Sequence, residues 1–172
     1  LRSPAVVDRL AVVNVPHPTV FLETMTSNLA QLHKSWYVFF FQLPRLPEWS
    51  ARRNDFELWV DALREGSNPG TFTEEDVERY RAAWGREGAP SAMIDWYRAL
   101  LRDREAPPSD RVTVPTLLVW GDHDQALIPE TAPRSIDYCE DGRLERFSDA
   151  THWIHHERPE RVVELLLDHG GT

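Results

Sequence analysis

The stretch from Arg111 to Glu130, RVTVPTLLVWGDHDQALIPE, constrains the fold more than any other part of the chain. Five of the seven residues from Val114 to Trp120 are aliphatic or aromatic. A run of that kind, cut off by Gly121, predicts a buried strand. Asp122, His123 and Asp124 follow at once. In open parallel sheets, sites are built where strands end. The chain therefore has to explain two acids and a histidine held at the end of a buried strand.

The rest of the sequence predicts the sheet around that strand. Leu10 to Val13 reads as a short strand closed by Pro16, and Arg143–Phe147 as another. A helix is expected after Pro129, and a last one from Pro159 to about His169. Strands alternating with helices indicate a parallel α/β sheet. Between the first strand and Arg111 lie about eighty-five residues, Thr19 to Asp103, that read as helical and aromatic-rich. TVFLETMTSNLAQLHKS places Phe21, Leu22, Met25, Leu29 and Leu32 at helical spacing. RNDFELWVDALREG puts Phe56, Trp59, Val60 and Leu63 on one face. Thr73 with Asp76 comes close to a capping box for the next helix. Ala89–Asp103 is a further helix, and Arg104–Arg111 a proline-bearing linker. The organisation expected is a core strand in 1–18, a helical cap over 19–108 and the end of the core in 109–172.

Composition excludes several functions. A net charge of −9 argues against nucleic acid or an anionic membrane surface as partner. No segment approaches the roughly 20 apolar residues of a membrane span. A single cysteine, Cys139, allows no internal disulfide. No signal-peptide pattern is visible, and a cytoplasmic location is expected. No cofactor is implied, and the oligomeric state is left open.

Asp124 and His152 are 28 positions apart, on loops that follow neighbouring strands. A carboxylate there could fix the imidazole tautomer and stabilise the imidazolium. The plainer reading is that Asp124 caps a turn and His152 caps the last helix. His152, His155 and His156 invite a metal reading, but the segment before Pro159 is expected not to be helical, so none is assigned. Cys139 has nothing nearby to activate it as a nucleophile. His17 reads as structural or as lining an entrance.

VPTLLVWGDHDQALIP followed by THWIHHERPERV resembles the C-terminal part of an α/β-hydrolase. LAVVNVPHP, SWYVFFFQLPRLPE, FTEEDVERYRAAW and DWYRALLRD resemble, in order, segments of the epoxide hydrolase branch. The resemblance covers nearly the whole chain. It implies that Asp124 is the acid and His152 the base, with Asp122 a turn residue, and that Tyr37 and Tyr97 are the two cap tyrosines. Trp36, Phe40 and Trp153 would border the substrate. The implied reaction opens a small apolar epoxide through an aspartyl ester, which His152 then helps water to hydrolyse. For either tyrosine alone, core packing is the simpler role.

One departure from the family pattern is plain. No G-x-S-x-G or G-x-D-x-G elbow occurs in the sequence. The resemblance places the nucleophile and oxyanion hole upstream of Leu1, in roughly 110 to 150 residues. The 172-residue chain alone is then expected to be inactive, with an open sheet edge. Two alternatives stay beside the epoxide reading. One is a haloalkane or haloacetate dehalogenase of the same fold; the other is a non-catalytic fragment that only binds.

Overall fold

The computed structural model describes residues 4–102 and 109–171. Most of the linker expected at Arg104–Arg111 lies outside the described residues. By their contacts, the described residues fall into two units: 4–34 with 109–171, and 35–102.

The first unit carries the sheet. Strands β1 (Leu10–Val13), β2 (Thr116–Gly121) and β3 (Gly142–Phe147) lie in that order, all parallel. β2 is central among them, and all six of its residues are buried. This matches its uninterrupted apolar run, because a parallel strand covered on both faces has no solvent side to mark with polar residues. β3 instead carries Arg143, Glu145 and Arg146, as an outer strand can. Leu117, Val119, Ala150 and Ile154 pack with Val162 and Leu165 of the last helix to form a core on one face.

Helices α1 (Pro18–Ser27) and α2 (Leu29–Lys34) belong to this unit. The sequence predicts one continuous helix here, and the structure breaks it at Asn28. That residue is extended, and its Oδ1 accepts from the N–H groups of Ala30 and Gln31 at 2.9 and 3.2 Å. An asparagine that caps a new helix competes with the helix running through it. The break turns the buried face: Leu29 is 82% exposed and Gln31 is fully covered. Helices α8 (Thr131–Ile136), α9 (Ile154–Glu157) and α10 (Pro159–Gly170) complete the unit. The single turn α9 is a correction to the loop expected before Pro159. Trp153 C=O accepts from both His156 and Glu157 N–H, which is enough for one turn.

The second unit consists of α3 (Trp36–Phe40), α4 (Leu46–Arg52), α5 (Glu57–Glu65), α6 (Glu74–Trp84) and α7 (Ala89–Arg102). The capping box of α6 forms between Thr73 and Asp76 in both directions. α5 begins later than the sequence suggests, because Asn54, Asp55 and Phe56 all have positive φ. Burial of the Phe56 ring, 5.9 Å from both Trp59 and Trp84, offsets that backbone strain. Arg81 bridges Asp55 and Glu57 at 2.6 and 3.0 Å across the same turn.

Candidate active site

At the C-terminal end of β2, Gly121 gives way to a loop that carries Asp124. The residue is buried, and its side chain has no solvent exposure. Each carboxylate oxygen has defined partners. Oδ1 accepts from the Ala126 and Leu127 N–H groups at 2.7 and 3.0 Å. Oδ2 accepts from Asn14 Nδ2 at 2.8 Å and lies 2.7 Å from His152 Nδ1. A carboxylate on Nδ1 places the proton there and leaves Nε2 as the basic nitrogen.

Burial pushes the Asp124 carboxyl up. The hydrogen bond and charge of His152, and then the Asn14 amide and the Ala126 N–H, outweigh it and hold the group below its ordinary value. A depressed carboxylate adds stability above its unfolded pKa of about 3.9 and loses it as pH falls through the folded value. The urea midpoint of the protein is therefore expected to exceed that of Asp124→Asn by most near neutrality, and the gap to close below about pH 4. A gap independent of pH would contradict this.

Asn14, immediately after β1, is the residue that sequence reasoning passed over. It is 1% exposed and sits at φ 46. Its Oδ1 accepts from Gly121 N–H at 2.7 Å, while its Nδ2 holds Asp124. Asparagine tolerates the left-handed backbone better than most residues. The same side chain thus ties β2 to the acid. A polar residue following an apolar strand is the only signal for it in the sequence, where Pro16 marks the strand's close.

His152 stands on the loop between β3 and α9, half-buried, with the Trp153 ring edge-on at 5.5 Å. The loop is anchored by Glu157, whose carboxylate accepts from both the N–H and the hydroxyl of Thr151 at 2.7 Å. Gly121 lets this loop approach. A Cβ there would meet the Thr151 and Ala150 carbonyl oxygens at 2.2 and 2.7 Å. Asp122 is turned away and pairs with Arg146 at 2.9 Å.

The other candidates are placed as follows. Nδ1 of His17 accepts from Thr19 N–H, capping α1, and its ring stacks on Tyr138 at 4.3 Å. Burial pushes the Cys139 thiol up, although Thr116 and Arg111 act the other way. No group of three or more His, Cys, Asp or Glu that could hold a metal occurs among the described residues.

In the helical unit, Tyr37 on α3 and Tyr97 on α7 meet edge to face, with ring centroids 5.5 Å apart. Burial pushes the Tyr97 phenol up, which keeps it a donor. Gln42 donates to the carbonyls of Val38 and Tyr97 at 3.0 and 2.9 Å, joining the two helices. Arg98 forks onto Glu48 at 2.6 and 3.2 Å and donates to the Phe41 and Leu43 carbonyls. These two supports were not visible in the sequence. Phe40 is half-buried beside Trp36, which is 63% exposed.

A parallel sheet with an acid after one strand, and a histidine after the next, defines the α/β-hydrolase class. The alpha/beta hydrolase fold family model matches residues 7–159, and the chain belongs to that family. Its relatives point to the epoxide hydrolase branch. The chain is 38% identical over 166 residues to an AB hydrolase superfamily protein, YfhM, of Bacillus subtilis, covering 96% of the chain and 58% of that protein. It is 35% identical over 169 residues to human epoxide hydrolase 4, covering 95% and 46%. The crystal structure of a Bacillus megaterium epoxide hydrolase with an inhibitor superposes with a TM-score of 0.82 at 25% identity, over 99% of this chain and 63% of that one. The chain spans about half the length of the curated relatives it matches. No helix of the described residues is long and apolar enough to cross a membrane.

Proposed function

We propose that this chain supplies the acid, the base and the proton-donating tyrosines of an epoxide hydrolase. The observation that carries the reading is the 2.7 Å contact between a fully covered Asp124 carboxylate and His152 Nδ1 at adjacent strand ends. In the proposed reaction, a carboxylate nucleophile from outside these 172 residues attacks an epoxide carbon. The carbon–oxygen bond breaks and the ring oxygen takes a proton from Tyr37 or Tyr97. The other tyrosine steadies the forming alkoxide by hydrogen bonding. His152 Nε2 then removes a proton from water, whose oxygen attacks the ester carbonyl. The ester bond breaks, the departing alkoxide takes the imidazolium proton and the diol leaves; the water's other proton, left on the regenerated carboxyl, passes to the tyrosinate and restores both groups. Trp36, Phe40 and Trp153 border a small apolar substrate in this reading.

A single turnover of styrene oxide by the full-length natural protein in ¹⁸O-water tests the ester route. With enzyme in excess, the oxygen gained by the diol comes from the enzyme carboxylate, so the diol is expected to be unlabelled. A labelled diol would mean direct hydration. Release of chloride from a chloroalkane, with no epoxide turnover, would replace the reading with a dehalogenase.

A further inference from the structure

We infer that Gln31 and Lys34, three residues apart on α2, are positioning residues for Asp124. The inference rests on the proposed role of Asp124 and His152. Asp124 does not stand on β2 itself. Two N–H groups of its own loop, from Ala126 and Leu127, hold its Oδ1. The direction of the carboxylate therefore follows the backbone path over 124–128. That path is held from outside by α2. The Gln31 side chain donates Nε2–H to Ala126 C=O at 2.8 Å and accepts Ile128 N–H on Oε1 at 3.0 Å. Lys34 Nζ donates to the Asp124 and Gln125 carbonyls at 2.8 and 3.1 Å.

Two features set these contacts apart from ordinary loop polarity. The partners are 90 to 97 positions apart in sequence, so they are not local turn bonds. Gln31 is also buried at 0% exposure, while Leu29 and Leu32 of the same helix remain exposed. Burying a carboxamide in place of a leucine costs solvation unless both its ends are matched. Here both ends are matched by the loop, as a peptide group on a neighbouring strand would match them. Lys34 is the only lysine in a chain with 19 basic residues. A compact ammonium can serve two adjacent carbonyls, whereas a guanidinium fork is shaped for carboxylates.

The test uses the full-length natural protein with Gln31→Met and Lys34→Met, which keep the approximate shape and remove the hydrogen bonds. Two readouts are taken. kcat for styrene oxide is expected to fall about tenfold with KM changed less than about twofold, since a displaced acid weakens the base without altering substrate contacts. The low-field proton resonance of His152 Nδ1–H, assigned by its loss in His152→Gln, is expected to move upfield as its bond to Asp124 lengthens. The nearby charges of His155, His156 and Glu157 are unchanged in both variants. Lys34 is half-buried, so Lys34→Met decides the matter if Gln31→Met does not fold. A lowered Tm with an unmoved resonance and unchanged kcat would overturn the inference. If His152→Gln keeps full turnover, the proposed function fails instead, and the resonance alone still reports whether the two residues position Asp124.

Discussion

His152→Gln in the full-length natural protein is expected to run the first half of the reaction and stall in the second. In the proposed reaction, ester formation needs the nucleophile and a proton for the ring oxygen, and neither comes from His152. Hydrolysis of the ester needs a base for water, and a carboxamide cannot take that proton. Removing a general base costs about 10² to 10⁴-fold in rate. Steady-state diol formation should fall toward the lower end of activity while the enzyme accumulates as its ester. Intact-protein mass spectrometry after mixing with styrene oxide reads this directly, as a gain equal to the mass of the epoxide. Undiminished turnover with no mass gain would show that His152 is not the base. Because the Asp124 carboxylate lies 2.7 Å from His152 Nδ1 and in the proposed reaction holds the ring for its role as base, Asp124→Asn should weaken the same step while leaving ester formation in place.

Gly121→Ala is expected to have the largest effect on folding. Gly121 does not need a left-handed backbone; what it needs is space. An added Cβ would lie 2.2 Å from the Thr151 carbonyl oxygen and 2.7 Å from that of Ala150, both backbone atoms. Neither can swing aside as a side-chain end could. The Ala150 carbonyl also accepts His123 N–H at 2.9 Å, and the Thr151 N–H and hydroxyl are fixed on Glu157. Relief would push the His152 loop away from β2. Overpacking at buried positions typically costs about 1 to 3 kcal/mol, and a clash with backbone on this scale belongs at the upper end or beyond. Urea unfolding of the variant should show a midpoint lowered accordingly, and the His152 Nδ1–H resonance should be lost in whatever fraction remains folded. A variant as stable as the parent, with that resonance intact, would mean that the two loops can separate freely.

Much of the fold was legible because it follows from local periodicity. The apolar run Leu117–Trp120 could only be a covered strand, and it is the buried centre of the sheet. The Thr73–Asp76 cap stated where α6 begins, since both hydrogen bonds close within four residues. The same logic failed at Asn28 and at Asn54–Phe56. In both places a side-chain hydrogen bond or a distant aromatic contact overrode the helical pattern.

For the site, the sequence by itself determined only where two candidate groups stand: Asp124 and His152 follow neighbouring strands, by the alternation of strands and helices. Only the tertiary structure decided what holds them. Asn14 reaches Asp124 across 110 positions, Gln31 reaches Ala126 across 95, and Gly121 is a glycine because of a loop 30 residues later. Hydrophobic periodicity marks apolar faces, so it cannot single out a buried amide whose partners are backbone groups far along the chain. Those partners exist only once the strands have paired, and with them the positions of Asp124 and His152 are fixed.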